Sequence, residues 1–377
     1  MIPFNKPAQT GNELAYIKEA IRSGHISGNG AFSRKCCGLI KKKFRFAEVF
    51  LTPSCTSALE MAGLLCDFRE GDEVIVPSFA HVGTANAFVR TGARIVLADS
   101  LPGHPNVDPQ SVESLVGPRT RAIVAIHYAG MACEMKTLQQ LAQSHGLFLI
   151  EDAAHALGAR YMDQNLGSLS DFAVVSFHET KNITCGLGGM LIVNRSDRIE
   201  RATRIWNQGT NRREFEDGCT PFYTWIETGG SFQLSDINAA YLYAQLLRFE
   251  KITERRIRLW QTYYDHLLPL QASGHFRLPF IPDGACHNGH IFYLLTKNGD
   301  LRNQLIQHLG RAGYQAVFHY VPLHASPWMR QSKAVWDRPH SERLANTIVR
   351  LPLFDSLTEE CVIEIVQAIK QWLDSLP

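Results

Sequence analysis

The chain has 377 residues, 45% of them hydrophobic, with 38 Lys and Arg against 36 Asp and Glu, which is enough apolar material for one large domain and a smaller companion. The formal net charge is only +2 and the basic residues are scattered rather than blocked, so nucleic acid and acidic membrane surfaces are not expected partners. The opening Met1-Ile2-Pro3-Phe4-Asn5-Lys6-Pro7 has no basic stretch leading into an apolar run, and no later run is long enough to span a bilayer; a cytoplasmic protein is expected.

From about Glu48 to Asn194 short β-rich runs alternate with amphipathic stretches, the pattern of helices laid over a mostly parallel sheet. The runs are Val49 to Leu51, Glu73 to Val76, Ile95 to Leu97, Ala122 to Ile126, Leu147 to Ile150, Phe172 to Ser176 and Met190 to Val193, with helices expected over Ser57 to Cys66 and Val82 to Arg90. Strands this uniformly apolar are buried on both faces, and open sheets of this kind bind ligands outside the carboxyl ends of their strands. After about Ser235 the texture becomes helical, over Asp236 to Phe249 and Ile252 to Leu268. A strand over Gly289 to Leu295, a helix over Leu301 to Ala312, a strand near Gln315 to Phe318 and a helix over Glu359 to Leu376 complete a smaller α+β unit. The expected division is 1–240 for the large domain and 241–377 for the small one. Nine cysteines, an odd number without a C-x-x-C pair, suit neither a disulfide framework nor a zinc site, so reduced thiols and no metal are expected.

Three segments carry possible chemistry. The strand Leu147 to Ile150 runs into Glu151-Asp152-Ala153-Ala154-His155 and delivers an acid to a strand end, where it could face a protonated heterocycle nitrogen or simply cap a helix. Lys181 lies in Ser176-Phe177-His178-Glu179-Thr180-Lys181-Asn182, between a strand and the turn Gly186-Leu187-Gly188-Gly189. A lysine amine forms Schiff bases with aldehydes and loses its proton readily when desolvated, although a loop lysine is as often a solvated surface group. Thr52-Pro53-Ser54-Cys55-Thr56-Ser57 precedes a helix, where free amides plus the hydroxyls of Thr56 or Ser57 would suit a phosphate, or form an ordinary capping turn. Ser176 offers one more hydroxyl.

Together with Ile2-Pro3-Phe4, Glu73-Val74-Ile75-Val76-Pro77-Ser78, Ser235-Asp236-Ile237-Asn238-Ala239-Ala240 and His319-Tyr320-Val321-Pro322-Leu323-His324, these segments make the chain closely resemble the DegT/StrS sugar aminotransferases. Those enzymes have the fold-type I, aspartate aminotransferase-like architecture: a large, mostly parallel seven-stranded sheet domain with a smaller α+β domain. The resemblance implies pyridoxal 5'-phosphate (PLP) bound covalently by Lys181, with Asp152 against its ring nitrogen, Thr56, Ser57 and Ser176 on its phosphate, and His155 beside its phenolic oxygen. His81 stands where relatives stack an aromatic ring, and Leu187 where they carry a Glu. Ser231 matches an Asn that relatives supply from the neighbouring subunit, which implies a homodimer with shared sites. Tyr320 and His324 are expected on the sugar side of the pocket or packed in a turn. Arg212 would meet a nucleotide diphosphate or a donor carboxylate, or remain a solvated loop residue. The implied reaction moves an amino group from L-glutamate to a nucleotide-linked keto-sugar. The related PLP-dependent dehydratases place a His where this chain has Lys181, which argues against that alternative.

Overall fold

The structure is a computed structural model and describes residues 1–331 and 336–376. The seven apolar runs form strands β1 (Glu48–Thr52), β2 (Glu73–Pro77), β3 (Arg94–Ala98), β4 (Thr120–Ile126), β5 (Phe148–Asp152), β6 (Phe172–Ser176) and β7 (Gly189–Val193). They join one sheet in the order β1-β7-β6-β5-β4-β2-β3. β3, β2, β4, β5 and β6 pair in parallel, while β7 runs antiparallel to both β6 and β1. The carboxyl ends of six strands therefore open on one edge, and β7 starts there.

Each strand divides its side chains between two cores, as a period of two requires. Val49, Leu51, Ile75, Ile123, Leu149 and Val175 enter one core, whereas Phe50, Val74, Val76, Val124, Ile150 and Val174 enter the other. Helices α1 (Glu13–Arg22) and α2 (Ala31–Phe44) cover the first face, and α3 (Cys55–Leu65) and α4 (Val82–Arg90) the second.

The helical region breaks at Leu247 and Arg248, both exposed, so that α5 is Asp236–Leu246 and α6 is Phe249–Leu267. The earlier break lets Phe249 turn inward. Phe249 and Ile252 at the start of α6 join the sheet's core, and Leu259, Trp260, Tyr263 and Leu267 further along join a separate C-terminal core. That core is completed by α7 (Gly299–Arg311), α8 (Glu359–Asp374) and a three-stranded antiparallel sheet of β8 (Phe276–Arg277), β9 (Tyr293–Thr296) and β10 (Ile348–Arg350), with β9 in the middle.

Of two strand expectations here, one is met in part and one fails. The run Gly289 to Leu295 becomes a strand only from Tyr293. Its first carbonyls are taken by side chains of α6: Arg256 donates to Gly289 and His290 at 3.2 and 2.8 Å, and Trp260 donates to Ile291 at 3.0 Å. Gln315 to Phe318 forms no strand; Gln315 N–H donates to the Ile2 carbonyl at 3.0 Å, and Val317 makes one isolated bridge with Arg350. On the side of β9 away from β8 the pairing strand is β10, in a run interrupted by an arginine.

Asp236, fully buried, ties α5 to the start of α2 by accepting from the Phe32 and Ser33 N–H groups at 3.1 and 2.7 Å and from Ser33 Oγ at 2.8 Å. Asp236→Ala strands those donors in the interior and should cost on the order of 3 kcal/mol. Urea denaturation reads this as a lower midpoint with an unchanged slope; an unchanged midpoint contradicts the assigned tie.

Candidate active site

β5 ends on Asp152, whose carboxylate is 4% exposed. Its Oδ2 accepts from Thr84 Oγ1 at 2.7 Å and its Oδ1 from the Ala154 N–H at 3.1 Å. Thr84 sits in the first turn of α4, which begins beside the same sheet edge because His81 caps it, Nδ1 accepting from the Gly83 N–H at 3.0 Å. A threonine just inside a helix is an unremarkable feature of a sequence, so its role in fixing Asp152 was not legible there.

Lys181 lies in the loop from β6 to β7. The loop is closed by the Glu179 N–H on the Gly186 carbonyl at 2.8 Å and by Thr184 Oγ1 on the Phe177 carbonyl at 3.1 Å, and Asn182 anchors it to the Asn288 carbonyl at 2.9 Å. Burial draws the Lys181 amine down from its ordinary 10.5 to about 8; Arg350 pushes in the same direction, and Asp152 and the Cys55 thiol oppose it. The amine is thus substantially neutral near pH 8.

Between these groups lies the start of α3. Ser54 caps it, its Oγ accepting from the Ser57 N–H at 3.0 Å and lying 2.9 Å from Ser57 Oγ. β7 approaches this turn so closely that a Cβ on Gly189 would stand 2.4 Å from the Cys55 nitrogen; glycine is required there for the sheet and the helix start to meet.

A cavity of about 580 Å³ opens between these elements and the C-terminal part of the chain. Thr56, His81, Asp152, His155, Ser176 and Lys181 all line it, as does Tyr320. The His81 and Tyr320 rings are 5.7 Å apart in an edge contact. His155 is buried, with Nδ1 accepting from the Ala129 N–H at 3.3 Å and its ring 4.6 Å from that of His290. Burial, reinforced by Lys181 and Arg350, keeps its pKa well below the usual histidine range. With Nδ1 accepting, the neutral ring carries its proton on Nε2.

Four expected residues lie elsewhere. Ser57 turns its N–H and hydroxyl to Ser54 and does not line the cavity; Ser54 does. His324 is buried behind the wall, with Nδ1 2.6 Å from Ser78 Oγ and Nε2 3.1 Å from Glu342, so it clamps the segment after Tyr320 onto the end of β2. Arg212 is on a short helix at the surface, paired with Glu216 at 2.9 Å. Ser231, expected to reach the site of a neighbouring subunit, is exposed and bridged to Asn207, outside this chain's own cavity. Conversely, Arg350, His319 and Phe4 line the cavity without having been singled out. A charge inside the apolar run Ile348-Val349-Arg350-Leu351 was the available signal.

The sequence profile of the DegT/DnrJ/EryC1/StrS aminotransferases matches residues 7–370. The chain belongs to that family. Among solved structures, the aminotransferase TlmJ from Streptoalloteichus hindustanus is 26% identical over 100% of both chains, with a TM-score of 0.92. DesV from S. venezuelae is 27% identical over 100% of this chain and 99% of its own, with a TM-score of 0.90. PseC from Helicobacter pylori, an aminotransferase of pseudoaminic acid biosynthesis, shares the fold at 23% identity over 99% of both chains and a TM-score of 0.91. The aminotransferase assignment drawn from the motifs stands, as does the fold.

In the cofactor-free protein, reductive methylation of Lys181 should rise with a midpoint near pH 8, about the amine's own pKa, whereas exposed lysines should titrate at about pH 10.4. Peptide mass spectrometry over a pH series distinguishes the two; a Lys181 profile that follows the surface lysines contradicts a desolvated amine.

Proposed function

We propose that the chain uses PLP to move the amino group of L-glutamate onto a dTDP-linked 4-keto-6-deoxyhexose, giving dTDP-4-amino-4,6-dideoxy-D-galactose and 2-oxoglutarate, the reaction of dTDP-4-amino-4,6-dideoxygalactose transaminase. The observation that carries the reading is that a deprotonatable Lys181, an anchored Asp152 and the start of α3 face one cavity. The family supports amino transfer in general. The choice of sugar rests on the likeness of Leu51 to Thr56, His127 to Met135 and Gly209 to Arg212 to that enzyme.

The residues fit the cofactor. Asp152 spends one hydrogen bond from Thr84 and one from Ala154 on its orientation, and its remaining lone pairs suit a protonated ring nitrogen. The amides opening α3, with the hydroxyls of Ser54, Thr56 and Ser176 around the cavity, suit a phosphate. When bound, PLP supplies an aldehyde that captures the amino group and a cationic ring that draws electrons from the reacting carbon. Lys181 Nζ, its pKa brought down to about 8 so that the free amine is accessible, takes the proton from the substrate carbon and later returns one, acting as base and then acid. His155 presents a fixed Nε2–H donor, and the Phe79, Tyr128 and Tyr320 rings wall the cavity against water.

A homodimer with shared sites completes the proposal. Phe222, Tyr223 and Trp225 are 65%, 56% and 76% exposed on the segment between Arg212 and Ser231, an apolar surface suited to a second copy. No helix among the described residues is long and apolar enough to cross a membrane. A second reading, the same chemistry on another nucleotide keto-sugar, is favoured by Leu187, an exposed apolar group at the cavity where relatives carry a Glu.

Lys181→Ala should abolish the visible band that PLP forms with the protein and slow amino transfer by about 10²–10⁴-fold through lost acid–base catalysis alone. Incubation of the wild-type protein with glutamate and a panel of dTDP-, UDP- and GDP-linked keto-sugars, with products read by mass and NMR, tests the full proposal. A 4-amino-galacto product from the dTDP sugar supports it; amination of another sugar moves it to the second reading, and no amination of any refutes both.

A further inference from the structure

A lysine that takes a proton and later returns it has to be held in place in between, and Lys181 Nζ makes no direct hydrogen bond among the described residues. Besides the main cavity, Lys181 lines a second one of about 10 Å³, room for one water. The polar lining there comes from His155, Ser176, Lys181, Asn182, Asn288 and His290. Most of its acceptors are taken. His155 Nδ1 accepts from the Ala129 N–H, and Ser176 Oγ accepts from the His178 N–H at 3.3 Å. Asn182 Nδ2 donates to the Asn288 carbonyl at 2.9 Å, which leaves Oδ1 as the atom 2.8 Å from His290 Nδ1. Asn288 Oδ1 packs against Gly130, which lines neither cavity.

His290 is the exception. It is 5% exposed, and with Asn182 Oδ1 accepting, its proton sits on Nδ1. Its Nε2 is then a bare lone pair with no partner among the described residues, and a desolvated acceptor left without a donor is costly. Burial, with His155, Lys181, Arg256 and Arg350 adding to it, holds the His290 pKa well below the usual histidine range, so the lone pair stays free near pH 8. The backbone fixes the ring. Gly289, at φ 63°, presses on α6 where a Cβ would stand 2.7 Å from the Arg256 carbonyl carbon, and Arg256 holds the His290 carbonyl at 2.8 Å. The His155 and His290 rings lie 4.6 Å apart. Two neutral imidazoles thus bring opposite polarity to one space: a donor at His155 Nε2 and an acceptor at His290 Nε2.

We propose that His290 is a positioning residue for Lys181: its Nε2 accepts from one water in the small cavity, and that water accepts from the lysine amine freed during the reaction. The bridge is strongest while the amine carries the extra proton, between taking it and returning it. Cys55, Asp152 and Arg350, the other groups acting on the amine, face it from α3, β5 and β10 and are untouched by changes at 290. The proposal rests on the transaminase reading above.

Two substitutions separate this acceptor from the tie to Asn182. An Asn side chain reaches only as far as Nδ1, so His290→Asn keeps a donor for Asn182 and removes the acceptor. A Gln side chain reaches Nε2, so His290→Gln restores one. In the cofactor-free protein, reductive methylation over a pH series should place the Lys181 midpoint about 0.5 to 1 unit lower in His290→Asn, because the bridge favours the protonated amine. In His290→Gln the midpoint should stay at the wild-type value. With PLP added, both variants should form the visible band, which shows them folded. The glutamate-driven loss of that band should slow about 10-fold in His290→Asn, with a larger isotope effect from glutamate deuterated at its α-carbon, and recover in His290→Gln. Wild-type values in His290→Asn overturn the proposal. So does the reverse order, which makes His290 a tie to Asn182 alone, and so does equal loss in both, which makes it a packing residue. The midpoint is read without cofactor and decides the bridge by itself; a wild-type band that glutamate leaves untouched refutes the transaminase reading instead.

Discussion

The site depends on holding an amine and a carboxylate in the same desolvated space without letting them become a salt bridge. Paired directly, Lys181 and Asp152 would stabilise each other's charges, and the lysine would be a poor nucleophile and a poor base. The structure separates their attachments: Thr84 and the Ala154 amide take up Asp152, while Lys181 is carried on a different strand connection. Asp152 raises the Lys181 pKa only as the last of the contributing influences, behind burial, Cys55 and Arg350. The amine is consequently left near neutrality while the acid keeps lone pairs for another partner.

This separation follows from the sheet. β5 and β6 are parallel neighbours, with Asp152 opposite Val174, so their carboxyl ends deliver Asp152 and, two residues further along, Ser176 to the same edge. β7 then returns antiparallel beside β6, which forces the chain to reverse at that edge and places Lys181 in the reversal. The same return brings Gly189 against the start of α3, where no side chain fits. One change of strand direction thus gathers the lysine loop, the acid-bearing strand and the helix amides.

Much of this was legible in the sequence because it is local. The seven apolar runs predict seven buried strands, and the residues just past their carboxyl ends are the ones that meet. What the sequence concealed is set by contacts distant along the chain. The run Gly289 to Leu295 looks like a full strand, but Arg256 and Trp260 on α6 occupy its first carbonyls. Gln315 to Phe318 looks like a strand too, yet it divides its bonds between the N-terminal arm at Gln315 and a single bridge to Arg350 at Val317. His324 shares a motif with Tyr320 and still faces away, because Ser78 and Glu342 claim both of its ring nitrogens. Thr84 and Arg350 belong to stretches with no motif of their own, and only the fold brings them to Asp152 and His319.

The end of β5 does a second task through the residue beside Asp152. Successive side chains on a strand point to opposite sides, and Glu151, fully buried, turns away from the cavity. It accepts from the Gly167 and Leu169 amides at 2.7 and 2.8 Å and from Ser170 Oγ at 2.8 Å. His127 is 3.0 Å from the same carboxylate through Nε2, and its Nδ1 accepts from the Cys133 N–H at 3.1 Å, so Nε2 carries the proton donated to Glu151. His127 thereby fixes both ends of the turn containing Ala129, whose left-handed backbone, φ 59°, aims its N–H at His155. The tautomer of His155 is in this way traceable to Glu151: of two adjacent acids on one strand, Asp152 faces the cavity, held by Thr84 and Ala154, and Glu151 acts through His127 on the imidazole donor, so a shift in the strand's end would disturb both at once.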